Sequence, residues 1–295
     1  MTPVMDDIAA ALRRAGTDAA LHVRPVDGPG EVALNPDAVS VAASTYKIAV
    51  LLELACQAAE GTLSLTARQR VPAGRRSLGP TGISAMLDDV DLSLRDLALL
   101  MMQVSDNTAT DVVQEVVGTD RITARLKGLG LANTSFPHDC AKLVGDVLDE
   151  FGGYPHEMDR PRLRAAVAAS PSIAGTVGNT TTPRDMTTLV SAIWRDEAGP
   201  AEACEEVRRI MAQQYAPHRL STAYRDGPAI AGKTGTFHGG IRNEVGVVDF
   251  GGGDRYAVAV YLRQHEYDLR DGAADAVIGE VARLAVDHLR AGGAA

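Results

Sequence analysis

Three short runs of residues hold the chemistry this sequence can do: Ser44-Thr45-Tyr46-Lys47, Ser105-Asp106-Asn107 and Lys233-Thr234-Gly235. A serine hydroxyl is a weak nucleophile until a neighbouring group takes its proton. Lys47 follows Ser44 by one helical turn and shares its face, so its amine is placed to be that base. The amine must then be neutral, which burial and nearby positive charge both favour. Only four of the 29 basic residues are lysine, namely Lys47, Lys127, Lys142 and Lys233. Arginine keeps its proton in a protein whereas a buried lysine can lose it, so the lysines inside these runs are the ones to read as chemistry.

The other two runs supply the remaining parts of an acyl-transfer site. The Ser105 hydroxyl is expected to pass a proton between the lysines and a leaving group. The Asn107 amide offers a donor and an acceptor to a substrate amide. Lys233, Thr234 and Thr236 are predicted on a strand, with Gly235 allowing a ligand to approach closely. Lys233 and Thr234 would hold an anionic group, and a substrate lying along the strand would bind by strand addition. The backbone N–H of Thr236 would join that of Ser44 in stabilising the oxyanion, helped by the positive end of the helix that Ser44 opens. The expected partner is a small acyl substrate with an anionic group. No cofactor is called for. Cys56, Cys140 and Cys204 are odd in number, far apart and without metal-ligand spacing, so no metal site is expected.

These residues need elements to position them. Residues 4–15 read as a helix, and 19–25 with 31–34 as a hairpin across Asp27, Gly28, Pro29 and Gly30. The run from Ser44 to Gly61 is apolar on every side, which marks a buried helix. Further helices are predicted over 93–103, 106–117, 119–129, 139–151, 160–169, 183–195 and 201–214. Residues 228–236, 243–250 and 255–263 read as three antiparallel strands, followed by a helix over 272–291. The expected fold is α+β. Residues 1–43 and 215–295 form an α/β domain of hairpin, meander and terminal helices, and 44–214 an all-helical domain.

Composition narrows the function. The net charge of -9 opposes binding to a phosphate backbone, and the basic run Arg160 to Arg164 reads as a solvated helix face. No stretch approaches the roughly 18 apolar residues of a membrane span. Asp6 and Asp7 precede a short apolar run, unlike a secretory leader, so a cytoplasmic location is expected. Neither nucleic acid nor membrane is an expected partner.

With these three runs in this order, the chain resembles the class A serine β-lactamases and low-molecular-weight penicillin-binding proteins. By composition, the chance of all three occurring together is on the order of one in ten thousand. The resemblance runs from about residue 20 to the C-terminus. It implies a β-lactamase/transpeptidase-like fold with the site between an α/β and an all-α domain, Ser44 as nucleophile and Lys47 as proton acceptor. Ser105, Asn107, Lys233, Thr234 and Thr236 match the family's positions, and Arg242 matches an arginine that binds the substrate carboxylate. Residues 179–183 resemble the end of the family's Ω-loop, with Asn179 where an aspartate is usual.

One part of the family pattern is missing. Class A enzymes carry a glutamate in an E-x-x-L-N stretch that directs the deacylating water, and no such stretch occurs here. Its place falls near Asp139-Cys140, and the segment of about 139–180 is longer than the family's. Glu150 and Glu157, with Asp139, Asp149 and Asp159, are the candidate replacements. The expectation is a serine hydrolase or acyltransferase acting on a lactam, ester or amide. The alternatives are an intracellular transacylase or amide synthase of small-molecule biosynthesis, and a penicillin-binding sensor acylated without turnover.

Overall fold

The computed structural model describes residues 2–216, 218–224, 227–268 and 271–293. Its helices are α1 (Pro3–Arg14), α2 (Lys47–Ala59), α3 (Leu94–Gln103), α4 (Asn107–Val117), α5 (Thr119–Gly128), α6 (Cys140–Phe151), α7 (Arg160–Ala169), α8 (Pro171–Ala174), α9 (Pro183–Trp194), α10 (Ala201–Met211) and α11 (Gly272–Arg290). Its strands are β1 (Thr17–Pro25), β2 (Val32–Leu34), β3 (Ser40–Val41), β4 (Arg68–Val71), β5 (Val90–Ser93), β6 (Thr180–Thr181), β7 (Ala229–Phe237), β8 (Ile241–Asp249) and β9 (Arg255–Gln264).

The two ends of the chain meet in one five-stranded sheet of order β2-β1-β9-β8-β7. All its pairings are antiparallel, with Leu21 opposite Val260 and Val245 opposite Ala259. The period of two along β9 divides its side chains between two cores. Val258, Val260 and Leu262 face α1 and α11. Ala257, Ala259 and Tyr261 face the larger core built on α2, α9 and α10. β9 and β8 therefore carry apolar residues on both faces, while β7 forms the edge.

The structure departs from the sequence-based expectation in two places. Residues 44–214 are not all helical: β4 pairs with β5, and β3 with β6. These ladders are two to four residues long, and Arg68 and Arg70 obscure the alternation in β4. Nor does Ser44 open an α-helix directly. A 3₁₀ turn over Ala43–Tyr46 precedes α2, which begins at Lys47. Residues Lys47 to Gln57 are all buried, as the apolar run requires. Among the described residues, no helix is long and apolar enough to cross a membrane.

Candidate active site

The α2 helix is fixed in the larger core, so the turn before it cannot move freely. Ala43 takes φ 46 to enter that turn, a conformation costly for a residue with a Cβ. The turn presents Ser44, the only residue between Ala42 and Leu54 that is not buried, to a cavity of about 680 Å³. Strand β7 packs directly on it. A Cβ added at Gly235 would stand 3.1 Å from the Ala43 Cβ and 3.2 Å from the Ser44 nitrogen. The glycine of the third run thus lets the strand approach the nucleophile's turn.

Lys47 lies wholly buried behind the cavity wall. Its Nζ donates to the Ser105 carbonyl at 2.8 Å and to Asn107 Oδ1 at 2.9 Å, with Ser105 Oγ at 3.4 Å. Burial lowers its proton affinity below that of a free lysine, while Cys140, Asp111 and Asp106 raise it in part. Ser105 sits at φ 60, so a strained backbone aims both its carbonyl and its hydroxyl at the lysine. Asp106 anchors this bend. Fully buried, it accepts from the backbone N–H groups of Ile83 and Ala109 and caps α4. Asn107 bridges the cavity's two sides, since its Nδ2 donates to Leu78 O at 2.7 Å. One donor and one acceptor of that amide are therefore committed to the protein.

The edge strand is held by a side chain that sequence reasoning missed. Gln214 Oε1 accepts from the Thr234 N–H, while Gln214 Nε2 donates to the buried Glu244 at 3.0 Å. Because the Thr234 N–H points away from β8, that of Thr236, two residues on, faces the same open edge. Ser44's nitrogen borders Gly235, so the two N–H groups assigned to the oxyanion are neighbours. Lys233 is fully buried and donates to Thr234 O at 2.9 Å. Its proton affinity is pushed well down, first by burial and then by Lys47 and Arg219.

Arg242 is not at the cavity surface. It is 3% exposed, and its guanidinium donates to Asp268 O at 2.9 Å and lies 3.8 Å from Asp275. Arg219, which no motif marked, holds the position nearer the site. It donates to Asp275 at 2.7 Å, to Gly235 O at 2.9 Å, to Asn243 O at 2.7 Å and to Thr236 Oγ1 at 2.6 Å. Nothing in its local sequence, His218-Arg219-Leu220, signals this, because its partners come from β7, β8 and α11. Arg219 and Arg242 lie behind the wall that carries Thr234 and Thr236, and their positive field favours an anion there.

The two candidate deacylating acids are elsewhere. Glu150 is bound by the hydroxyls of Ser170 and Ser172, the latter at 2.7 Å, and serves to tie α6 to α8. Glu157 is exposed and does not line the cavity. Asp139 caps α6 and Asp159 caps α7. The group that does line the cavity at this point is Cys140. Its Sγ lies 3.1 Å from the Tyr46 hydroxyl, and its backbone N–H is held by Asp111 at 2.7 Å. Burial pushes its thiol up to about 11, so it stays protonated at neutral pH. Asn179 closes the segment by gripping residue 138 at both ends of its amide: it accepts from the His138 N–H at 3.0 Å and donates to the His138 O at 2.9 Å.

Comparison with known proteins agrees with this fold. The family model described as "Beta-lactamase enzyme family" matches residues 3–289. The beta-lactamase regulatory protein BlaB of Streptomyces cacaoi is 27% identical over 313 residues, covering 97% of each chain. A beta-lactamase structure from Sphaerobacter thermophilus superimposes with a TM-score of 0.75 at 25% identity, over 95% of this chain and 94% of that one. The structure of PBP-A gives a TM-score of 0.77 at 22% identity, over 99% and 97%. The likeness extends to the whole α+β architecture.

Proposed function

The chain belongs to the beta-lactamase enzyme family, and on that premise we propose that Ser44 takes the acyl group of a lactam, ester or amide and holds it as a slowly hydrolysed ester. The observation that carries this reading is the cavity into which Ser44, Ser105, Thr234 and Thr236 all open, with the buried Lys47 amine behind them. Neutral Lys47 accepts the proton as Ser44 Oγ bonds to the carbonyl carbon. The oxyanion lies between the N–H groups of Ser44 and Thr236. The proton then passes through Ser105 to the leaving nitrogen or oxygen as its bond to carbon breaks. A substrate anion sits at Thr234 and Thr236, in the field of the cations beneath.

Slow release follows from Cys140. A protonated thiol cannot take a proton from water as a carboxylate does, so the position where the family carries its glutamate supplies no base to the acyl-enzyme. A persistent acyl-enzyme serves two ends. Passed to an amine or alcohol, it makes the protein a transacylase or amide synthase. Left in place, it makes the protein a sensor of β-lactams, a reading favoured by the similarity to the Streptomyces cacaoi regulatory protein.

Intact-mass analysis after incubation with penicillin G, a cephalosporin and an aryl ester tests the proposal. An adduct on Ser44 that persists for hours is expected, and its release on adding amines separates the transacylase from the sensor. Absence of any adduct overturns the reading. Cys140→Glu provides a second test. A carboxylate at that position is expected to accelerate loss of a penicilloyl adduct on the order of a hundredfold, the lower end of what a placed base contributes. An unchanged lifetime would locate the block elsewhere than at Cys140.

A further inference from the structure

The acyl group's own side chain has a built place in this cavity, and resting on the acyl-enzyme reading above, we propose that the preferred acyl donors carry an aromatic or medium-length alkyl side chain, seated against helix α6. Cys140, Leu143, Val144 and Leu148 follow one another at helical spacing and all line the cavity. The next positions round the helix, Val147 and Phe151, are buried in a small core that also holds Ala43, the residue before Ser44. The apolar wall and the nucleophile's turn are therefore parts of one packed unit, and the wall is rigid with respect to Ser44. Phe237 and His238, continuing β7 beyond Thr236, also line the cavity, Phe237 packed on that same small core and the His238 ring 6.1 Å from that of Phe151.

Two further observations set the chemistry of the occupant. No aspartate, glutamate, lysine or arginine lines the cavity among the described residues; besides the polar groups round Ser44 it carries Thr81, Gln103 and the imidazoles of His156, His218 and His238. Leu78, Tyr154 and Tyr215, which also line it, are 51%, 43% and 76% exposed, an apolar rim that a bound ligand would cover. At about 680 Å³ the space matches a ligand far larger than an acetyl or alanyl group. A small acyl group would leave this apolar surface wet, whereas a longer one removes it from water.

The test is a series of p-nitrophenyl esters: acetate, butyrate, hexanoate, octanoate and phenylacetate. In each, the Ser44 oxygen bonds to the acyl carbon, the bond to p-nitrophenolate breaks and Lys47 receives the serine proton. The leaving group is constant, so only the side chain varies. Released p-nitrophenol gives the rate, and intact mass gives the adduct. The second-order rate constant for acylation is expected to rise roughly fourfold per added methylene until the wall is covered, so that hexanoate exceeds acetate by about 250-fold. Val144→Asp, which places a carboxylate in the wall, is expected to collapse that dependence on length. Leu148→Ala, which enlarges the space, is expected to move the optimum to a longer or bulkier chain. Equal rates across the series, with Ser44 still acylated, would overturn this inference and leave the acyl-enzyme reading standing. No acylation by any ester or lactam would overturn both.

Discussion

The Ser44→Ala protein is expected to carry no adduct with any reagent that acylates the parent chain. Within its turn Ser44 is the residue left partly exposed on the cavity, while Thr45 beside it is fully buried and bonded to Ala42 O at 2.7 Å. Ser105 also opens on the cavity, but its hydroxyl lies at the end of a strained bend, 3.4 Å from Lys47, in the place of a proton carrier. Removing one oxygen from the half-exposed Ser44 leaves the packing of Ala43 and Gly235 intact, so the variant should melt where the parent does. Intact mass and a thermal scan together check the result. An adduct that survives in Ser44→Ala would assign the nucleophile to another side chain, and digestion would show whether Cys140, which lines the same cavity, is the one.

Lys47→Ala should behave differently: the adduct still forms, but about a thousandfold more slowly, as expected for loss of a positioned base. The pH dependence separates this from simple damage. Acylation needs the neutral amine, so the parent's rate climbs as pH rises through the proton affinity of Lys47 and falls as pH drops below it. Burial lowers that affinity beneath the ordinary lysine value of 10.5, so the climb should be complete before a free lysine would have lost its proton. The alanine variant should lose this limb of the profile. It also leaves the Ser105 carbonyl without its partner, at a cost of roughly 1–3 kcal/mol in stability, which melting would register. A variant that acylates at the parent's rate with the parent's pH profile would remove Lys47 from the proton path.

The sheet and most helices were legible because their signals are local and long. The apolar run after Ser44 could only be a buried helix, and β7, β8 and β9 announced themselves by β-rich runs between glycines. The short ladders β3–β6 and β4–β5 were not legible. Two to four residues carry no periodicity, and their pairing is fixed by the elements around them. The acids of the segment from 139 to 180 misled for a related reason. A glutamate in sequence shows that a carboxylate is present, not where it points, and Glu150 points at two serines.

What the sequence determined by itself was the set of reacting groups: a serine and a lysine one turn apart, a second serine, and a glycine-bearing strand. Those follow from residue type and short spacing, which the backbone converts directly into geometry. What only the tertiary structure decided was the electrostatics and the shape around them. Arg219 reaches Thr236 while Arg242 is turned toward Asp268 and Asp275, and a buried thiol stands near Lys47 where a carboxylate was sought. Proton affinity and access depend on burial and on partners dozens of residues away, and those exist only once the chain has packed.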